Sequence, residues 1–540
     1  MIKTAVFDIE ATNWIDFACL GFYDGEQYKV YWGIEHFLEE FLIKKYRGYN
    51  CFAHFGGKYD FRFLIPALVE SGKYELRFLE RNSKIMSIKV IDKKTKCSWK
   101  FTDSYFLLPL SLKELGKNFK IKYMKLDFDV ESCKTAADFA KPEPQEYLKN
   151  DCLGLYEILE KFANWGLNGG KLKMTLPSQS LHIFTERFLN EQLIPLNEWQ
   201  EEFIRKTYFG GRVEIFKMSG ENLYYYDFNS LYPSIMLEDM PCGQPMFVRS
   251  YYPDKIGFYK ITADLKDTTI PPLPVLTGNK LFFPCGRGTF YTTSAEIEIL
   301  RKLKLNFWVE EGIVFDKKKP IFKEYIETMY KMRQQFDKGT MENLLSKLLM
   351  NSLYGKFGQK RHNIEMIFAT EPPQNAVPYD EKFGLYLIKK ESRSKYILPY
   401  LASYITSKAR AKLYETFLEV GFDNIWYCDT DSIICNKRLP CSENLGGLKL
   451  EYEIKKGVFL QPKAYALKLK DNSEIIKVKG MKNVNIPVSD FIKALKTKDL
   501  SLIHAKYYNI CGFRECLTRD RSLKINRKEV YKQMNCLYDK

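Results

Sequence analysis

The chain predicts a multidomain protein of the α/β and α+β classes, and three observations carry that expectation. It has 540 residues, enough for several domains. Short apolar strands that each deliver carboxylates occur in both halves, at Ala5-Val6-Phe7-Asp8-Ile9-Glu10 and around Tyr427-Cys428-Asp429-Thr430-Asp431-Ser432. A polar, glycine-rich stretch, 166–170, separates the halves.

In the N-terminal half, the alternation of a strand puts Asp8 and Glu10 on one face. Asp60 follows in His54-Phe55-Gly56-Gly57-Lys58-Tyr59-Asp60. Tyr147 and Asp151 then stand one helical turn apart. Four carboxylates from separated segments can hold two metal ions, a donor set suited to phosphodiester cleavage.

In the C-terminal half, Ile425-Trp426 and Ile433-Ile434 flank Asp429 and Asp431, a strand-turn-strand pattern with both acids near the bend. Carboxylates gathered there suit magnesium, which takes oxygen ligands and shares them with phosphates. Asp227 ends a second predicted strand that begins with Tyr224. Ser230 is the expected cap of the next helix, with Pro233 in its first turn. Lys347, Asn351 and Tyr354 are spaced i, i+4 and i+7, one face of a helix offering a cation, an amide and a ring.

Taken together these segments resemble the family B DNA polymerases, most closely the protein-primed group of phages and linear plasmids. The resemblance runs over nearly the whole chain. It is carried by Asp227 with Ser230-Leu231-Tyr232-Pro233, by Lys347 to Gly355, and by Tyr427 to Ser432, in that order. Lys463-Ala464-Tyr465, Thr406-Ser407-Lys408-Ala409-Arg410 and Tyr208-Phe209-Gly210-Gly211 match further motifs that touch DNA in that family. The set Asp8, Glu10, Asp60, Tyr147 and Asp151, with Lys125 in Lys125-Leu126-Asp127-Phe128, resembles the family's 3′–5′ proofreading exonuclease.

The resemblance implies an RNase H-like exonuclease domain followed by a right-hand palm, fingers and thumb. It implies DNA-templated nucleotidyl transfer with two magnesium ions per active site, manganese being the substitute ion. Asp227 and Asp431 would be the polymerase ligands, with Asp429 beside them; Asp8, Glu10, Asp60 and Asp151 would be the exonuclease ligands. Tyr147 would position the attacking water and Lys125 assist. Lys347 would meet the triphosphate. Tyr232 would lie under the sugar and exclude a 2′-hydroxyl. Ser230 and Leu231 would flank the nucleotide, and Asn351 and Tyr354 would line the nascent pair. Lys331, Arg333 and Lys338 are further phosphate candidates. DNA contacts would come from Tyr208, Gly210, Gly211, Thr406, Arg410, Lys463, Tyr465, Tyr59 and Ser104. Two positions depart from the family pattern: Phe55 stands where an Asn is usual, and Tyr105 where a Leu is. Phe55 either stacks on an unpaired base or packs inward.

The implied layout is an exonuclease domain over 1–165, a linker and start of the polymerase module over 166–207, and palm over 208–244. A terminal-protein-docking insertion follows over 245–321, then fingers over 322–360. A second insertion over 361–397, expected to be a hairpin that supports processivity and strand displacement, precedes the rest of the palm over 398–469 and a thumb over 470–540. The partners implied are primer-template DNA, deoxynucleoside triphosphates, a terminal protein and a single-stranded DNA-binding protein, with the chain itself a monomer.

Composition agrees. Lys and Arg number 83 against 67 Asp and Glu, a net +16 that favours phosphate backbones. Aromatic residues make up 15 %, enough to furnish base-stacking surfaces beyond the core. The basic tail with Arg521, Lys524, Arg527, Lys528 and Lys532 is a DNA-contact candidate. Thirteen Cys lack paired Cys-x-x-Cys spacings and only five His are present, so no zinc site is legible. Scattered thiols fit a reducing compartment. No apolar run reaches membrane-spanning length. The first strand begins within a few residues of Met1, which leaves no room for a signal or transit peptide, so the expected location is cytoplasmic, that of a bacterial host for a phage enzyme. A mitochondrial linear plasmid is the alternative, since a polymerase encoded within the organelle needs no presequence. Readings from other classes are an exonuclease, or a replication scaffold, whose second half only grips DNA. Intact Asp227, Asp429, Asp431 and Lys347 weigh against both.

Overall fold

The computed structural model describes residues 3–392, 394–481 and 486–534. The N-terminal domain is built on a ten-stranded mixed sheet. At its centre Thr4–Thr12, Asn50–Ala53 and Ser98–Asp103 run parallel, and antiparallel partners flank them, among them Asp16–Tyr23 and Lys84–Asp92. The helix Pro142–Asn164 packs on the first strands, where Leu148, Cys152 and Leu155 join the core. This is the expected RNase H-like arrangement. It brings the strand with Asp8 and Glu10 against the helix with Tyr147 and Asp151.

The second insertion does not stand apart. The strand His362–Phe368 pairs with Tyr74–Arg81, in register Glu365 to Leu79 and Phe368 to Leu76, and Leu385–Glu391 and Ala376–Asp380 extend the same sheet. Met366, Phe368 and Leu385 share one core with Phe78 and Leu76. The reason is physical: Tyr74–Arg81 would otherwise leave an open edge of unpaired N–H and C=O groups. The two expected hairpin strands are present, joined by a loop that carries a third.

The palm is a seven-stranded antiparallel sheet. Ser219–Phe228 lies at its centre between Leu448–Gln461 and Ser432–Cys435. Glu474–Val478 pairs with Ala464–Leu469, so the palm sheet continues past the boundary expected at 469. The long helix Pro399–Val420 runs through the interior, packed on the helices Ser294–Lys302, Leu231–Met236 and Glu198–Arg205, its Tyr400, Leu401, Ile405 and Phe417 buried.

The first insertion is a four-stranded sheet in the order Met240–Val248, Phe307–Lys319, Gly257–Asp264, Arg287–Thr293, followed in sequence by the helices Lys323–Gln335 and Met341–Ser352, where the fingers are expected. Its first strand starts at Met240, ahead of the expected 245. The tail forms the hairpin His504–Ile510 with Arg527–Gln533 around the helix Phe513–Arg519. It docks on the N-terminal domain rather than standing free: Phe513 stacks on Phe78 at 5.7 Å, and buried Arg62 donates to the carbonyls of Cys511 and Lys524, both at 3.1 Å. Cys511, Cys516 and Asp520 cluster in this tail, their donor atoms within 4.8 Å of one another, a grouping that the spacing along the chain does not announce.

Candidate active site

Two carboxylate centres lie in two different domains. The first occupies a cavity of about 520 Å3 lined by Asp8, Glu10, Asp60, Tyr147, Asp151 and Lys125. Asp60 begins the helix Asp60–Glu70 and its carboxylate accepts the N–H of Ile9 at 3.0 Å, which ties it to the strand between Asp8 and Glu10. Lys125 donates to the Tyr147 hydroxyl at 2.6 Å, sits 4.3 Å from the ring centre, and pairs with Asp151. Burial, then repulsion from Asp151, pushes Asp8 up to about 7. Burial and the neighbouring acids also hold Glu10 and Asp60 well above the carboxylate range, and burial raises Asp151. One buried oxygen of Asp151 has no hydrogen-bond partner. Crowded acids that resist ionisation, with an orphaned oxygen among them, are a donor set that fits divalent cations.

The rim of this cavity is aromatic. Phe55 is 38 % exposed and stacks on Tyr105 with centroids 4.1 Å apart, so the inward-packing alternative does not hold. Its backbone is left-handed, φ 64°, an unusual state for an aromatic residue. Asp103 organises the pair: its carboxylate accepts the N–H groups of Tyr105 at 2.9 Å and Gly57 at 3.1 Å, while burial pushes its acid up to about 6. A Cβ on Gly57 would meet the carbonyl of Ile85 at 1.7 Å, so only glycine passes there. Tyr59 and Trp14 line the cavity too, Trp14 donating to Glu131 at 3.1 Å. Ser104 departs from its expected DNA contact. It is buried, donates to the Ala53 carbonyl and shares a 2.9 Å hydrogen bond with His54.

The second centre lies where the central palm strand meets the hairpin Ile425–Asp429 and Ser432–Cys435. Ser432 pairs with Asp227, and the N–H of Phe228 donates to the carbonyl of Asp431 at 2.7 Å. The register therefore brings Asp227 and Asp431 together from segments 204 residues apart in sequence (431 less 227). Burial, then the charge of Asp431, pushes Asp227 up to about 7, and burial also raises Asp431. This pair likewise fits a divalent cation. Asp429 is engaged otherwise: Lys463 donates to both of its oxygens, at 2.6 and 2.8 Å. Thr430 at the tip is left-handed, φ 62°, and its N–H donates to the Arg212 carbonyl at 2.7 Å. A Cβ on Gly211 would approach the Thr430 side chain to 2.6 Å, so the Tyr208-to-Gly211 segment is a bed for the hairpin.

Beside this centre Tyr232 and Tyr354 pack with rings 4.5 Å apart. The expected single helix through Lys347, Asn351 and Tyr354 is broken: Met341–Ser352 ends and Tyr354–Phe357 begins anew. Lys347 and Asn351 are exposed on the first piece. Leu231 is buried core. Ser230 stands at the helix start, φ 52°, but makes no cap hydrogen bond; its hydroxyl accepts from Arg333 at 3.3 Å. That contact links fingers to palm, while Lys331 and Lys338 are exposed.

Three expected DNA contacts turn out to be structural. Arg410 is buried, pairs with buried Glu296 at 2.7 Å, and donates to the carbonyls of Phe209 and Gly210, both at 2.9 Å. Thr406 is buried and donates to the Ser403 carbonyl at 3.1 Å. Tyr465 is buried against Tyr427 and Phe459. Gly210 is exposed, and Tyr208 is half-buried where Gly358 lets its ring approach. Glu296, Arg212 and Asp103, which hold these loops, were not foreseen. Each has a partner distant in sequence (Arg410 for Glu296, Pro271 for Arg212, Gly57 for Asp103), and no local spacing marks those contacts.

The sequence model for DNA polymerase type B, organellar and viral, matches residues 42–142 and 134–433. A protein named "Probable DNA polymerase" from Ascobolus immersus is 27 % identical over 86 % of this chain and 45 % of its own length. The DNA-directed DNA polymerase of Enterobacteria phage PRD1 is 27 % identical over 85 % of this chain and 81 % of its own. The chain thus spans about half the length of several fungal relatives that it matches, and most of the phage one. The Phi29 DNA polymerase, solved with primer-template DNA and incoming nucleotides, superposes with a TM-score of 0.78 at 20 % identity, covering 99 % of both chains. No helix among the described residues is long and apolar enough to cross a membrane.

Proposed function

The chain belongs to the organellar and viral type B DNA polymerases, and on that premise we propose that it is a DNA-directed DNA polymerase with its own 3′–5′ exonuclease. One observation carries the polymerase reading: Asp227 and Asp431 converge at the end of the palm sheet, where burial and the charge of Asp431 keep Asp227 from ionising readily. When bound there, magnesium ions would neutralise the triphosphate and favour the ionised primer hydroxyl. The protein's own part is placement. Lys347 and the Arg333–Ser230 contact offer positive charge on the fingers side. The Tyr232–Tyr354 platform receives the sugar and base. Lys463 fixes Asp429 and so the hairpin. Sequence choice comes from template pairing, so few base-reading contacts are required.

The exonuclease reading rests on the four acids around the Lys125–Tyr147 pair. Lys125 holds the Tyr147 hydroxyl at the cavity wall, where it can orient a water molecule. Phe55 and Tyr105 offer a ring surface to an unpaired terminal base, a sequence-tolerant contact.

The substrate is a linear phage or plasmid genome, and initiation uses a hydroxyl of a terminal protein. The first insertion supports that docking role with exposed Phe247, Trp308, Leu276 and Phe282. Magnesium with manganese as substitute, and a monomer working with a single-stranded DNA-binding protein, complete the reading. The experiment is primer extension with and without magnesium, on paired and 3′-mismatched primers. Extension with mismatch removal is expected. Degradation alone would leave an exonuclease, and binding alone a scaffold.

A further inference from the structure

The cavity that holds the exonuclease acids is not closed by the N-terminal domain alone. Ile510 and Arg527, more than 350 residues beyond Asp151, line it as well (510 less 151 is 359). They face each other as the end pair of the tail hairpin. That end is fastened beside the site. Arg62, two residues after Asp60 on the same helix, is buried and donates to the carbonyl of Cys511, the residue after Ile510. Lys58 donates to the side chain of Asn509 at 2.8 Å. Arg514 pairs with Glu80 at 2.7 Å.

The charge balance of the cavity explains what such a residue is for. Asp8, Glu10, Asp60 and Asp151, with Glu131 on the wall, face a substrate that is itself an anion. The cations of the domain's own wall are committed: Lys58 to Asn509, Lys125 to Asp151 and Tyr147, and Lys134 to the Glu131 carbonyl at 2.6 Å. Arg527 is held differently. Its guanidinium lies 4.4 Å from the centre of the Tyr508 ring. Stacking occupies the face of a guanidinium and leaves its N–H edge available for a phosphate fork.

We propose that the C-terminal hairpin is part of the exonuclease site and that Arg527 binds a backbone phosphate of the single strand entering it. The inference rests on the exonuclease reading above. It makes degradation depend on the docked tail, so the two ends of the chain build one site.

The test uses the full chain with magnesium and a labelled single-stranded oligonucleotide, separating KM from kcat. Arg527→Ala should raise KM roughly tenfold, the weight of one hydrogen bond to a charged group, and lower the ratio of degradation to extension. Arg527→Lys should lie between. Oligonucleotides with a single uncharged methylphosphonate linkage, moved along the strand, add a readout that a structural role would not move. At one linkage the penalty of Arg527→Ala should vanish, because the partner charge is already gone. Arg527→Gln, a shorter polar side chain that keeps an amide donor but no charge, serves if the alanine variant melts early. An unchanged KM, or the same penalty at every linkage, overturns the proposal. If the wild type releases no nucleotide at all, the exonuclease reading falls and this inference with it. Release that ignores Arg527→Ala overturns the inference alone.

Discussion

Lys463 grips Asp429 with both carboxylate oxygens within hydrogen-bond distance, at 2.6 and 2.8 Å, across the turn that joins two palm strands. The lysine backbone is left-handed there, φ 64°, and its N–H donates to the Tyr427 hydroxyl at 3.1 Å. Asp429 is thereby a support of the hairpin, and its charge still acts on neighbouring Asp431. Lys463→Ala and Asp429→Asn should each slow extension roughly tenfold, as loss of a partner that orients a ligand does. The double variant should be little worse than either single one, because both remove the same contact. Steady-state extension rates of the four proteins give the coupling directly; additive losses would mean that the two residues act separately.

Tyr232 packs on Tyr354 at 4.5 Å, and burial pushes its hydroxyl up to about 12, so the ring is a fixed neutral wall. Tyr232→Val should narrow the preference for deoxy- over ribonucleotides by about tenfold or more. Comparing kcat/KM for the two sugars checks this, and an unaltered ratio removes the steric role.

Removal of Asp8 and Glu10 together should reduce release of a mismatched 3′ nucleotide to below about one-hundredth of wild type, since ligand loss outweighs loss of an orienting partner. Extension from a paired primer should persist, because its acids come from a different sheet. Mismatch release at the wild-type rate would make the strand acids structural.

His54 supplies a pH dependence. Burial, helped by the charge of Lys125, holds its imidazole down to about 4, with Leu110 and Ser104 as hydrogen-bond partners at 2.8 and 2.9 Å. An unfolded histidine takes its proton near pH ~6.5, so the folded state binds fewer protons between the two values. Stability is therefore full above about 6.5 and is lost as pH falls toward about 4, by roughly 2 kcal/mol for a half-buried ring. His54→Gln should lower Tm at neutral pH and flatten its fall between about pH 7 and about pH 5. Parallel acid slopes for wild type and variant would show that His54 does not titrate as described.

The carboxylates of both centres were legible because each sits in a short local pattern, a strand alternation or a helical turn. What was not legible depends on partners far away. Nothing near Arg410 announces Glu296, so a buried strut reads like a DNA-facing cation. Ser104 and Tyr465 read as contacts for the same reason: a motif names the residue and not the direction of its side chain. The helix break before Tyr354 falls in a run whose spacing is unbroken. The pairing of Glu365 with Leu79 joins an insertion to a sheet nearly three hundred residues earlier (365 less 79 is 286), and edge pairing leaves no periodic signal in either strand. The aromatic pair Phe55 and Tyr105 was visible as two departures from a pattern, and the structure stacks them on each other.

The central claim is that two separate carboxylate centres perform two separate reactions. Asp431→Asn tests it most directly, with extension and single-strand degradation measured on one purified preparation. The account predicts extension reduced by more than about a hundredfold, with degradation within about twofold of wild type. Extension near the wild-type rate, or equal loss of both activities in a folded protein, would contradict it.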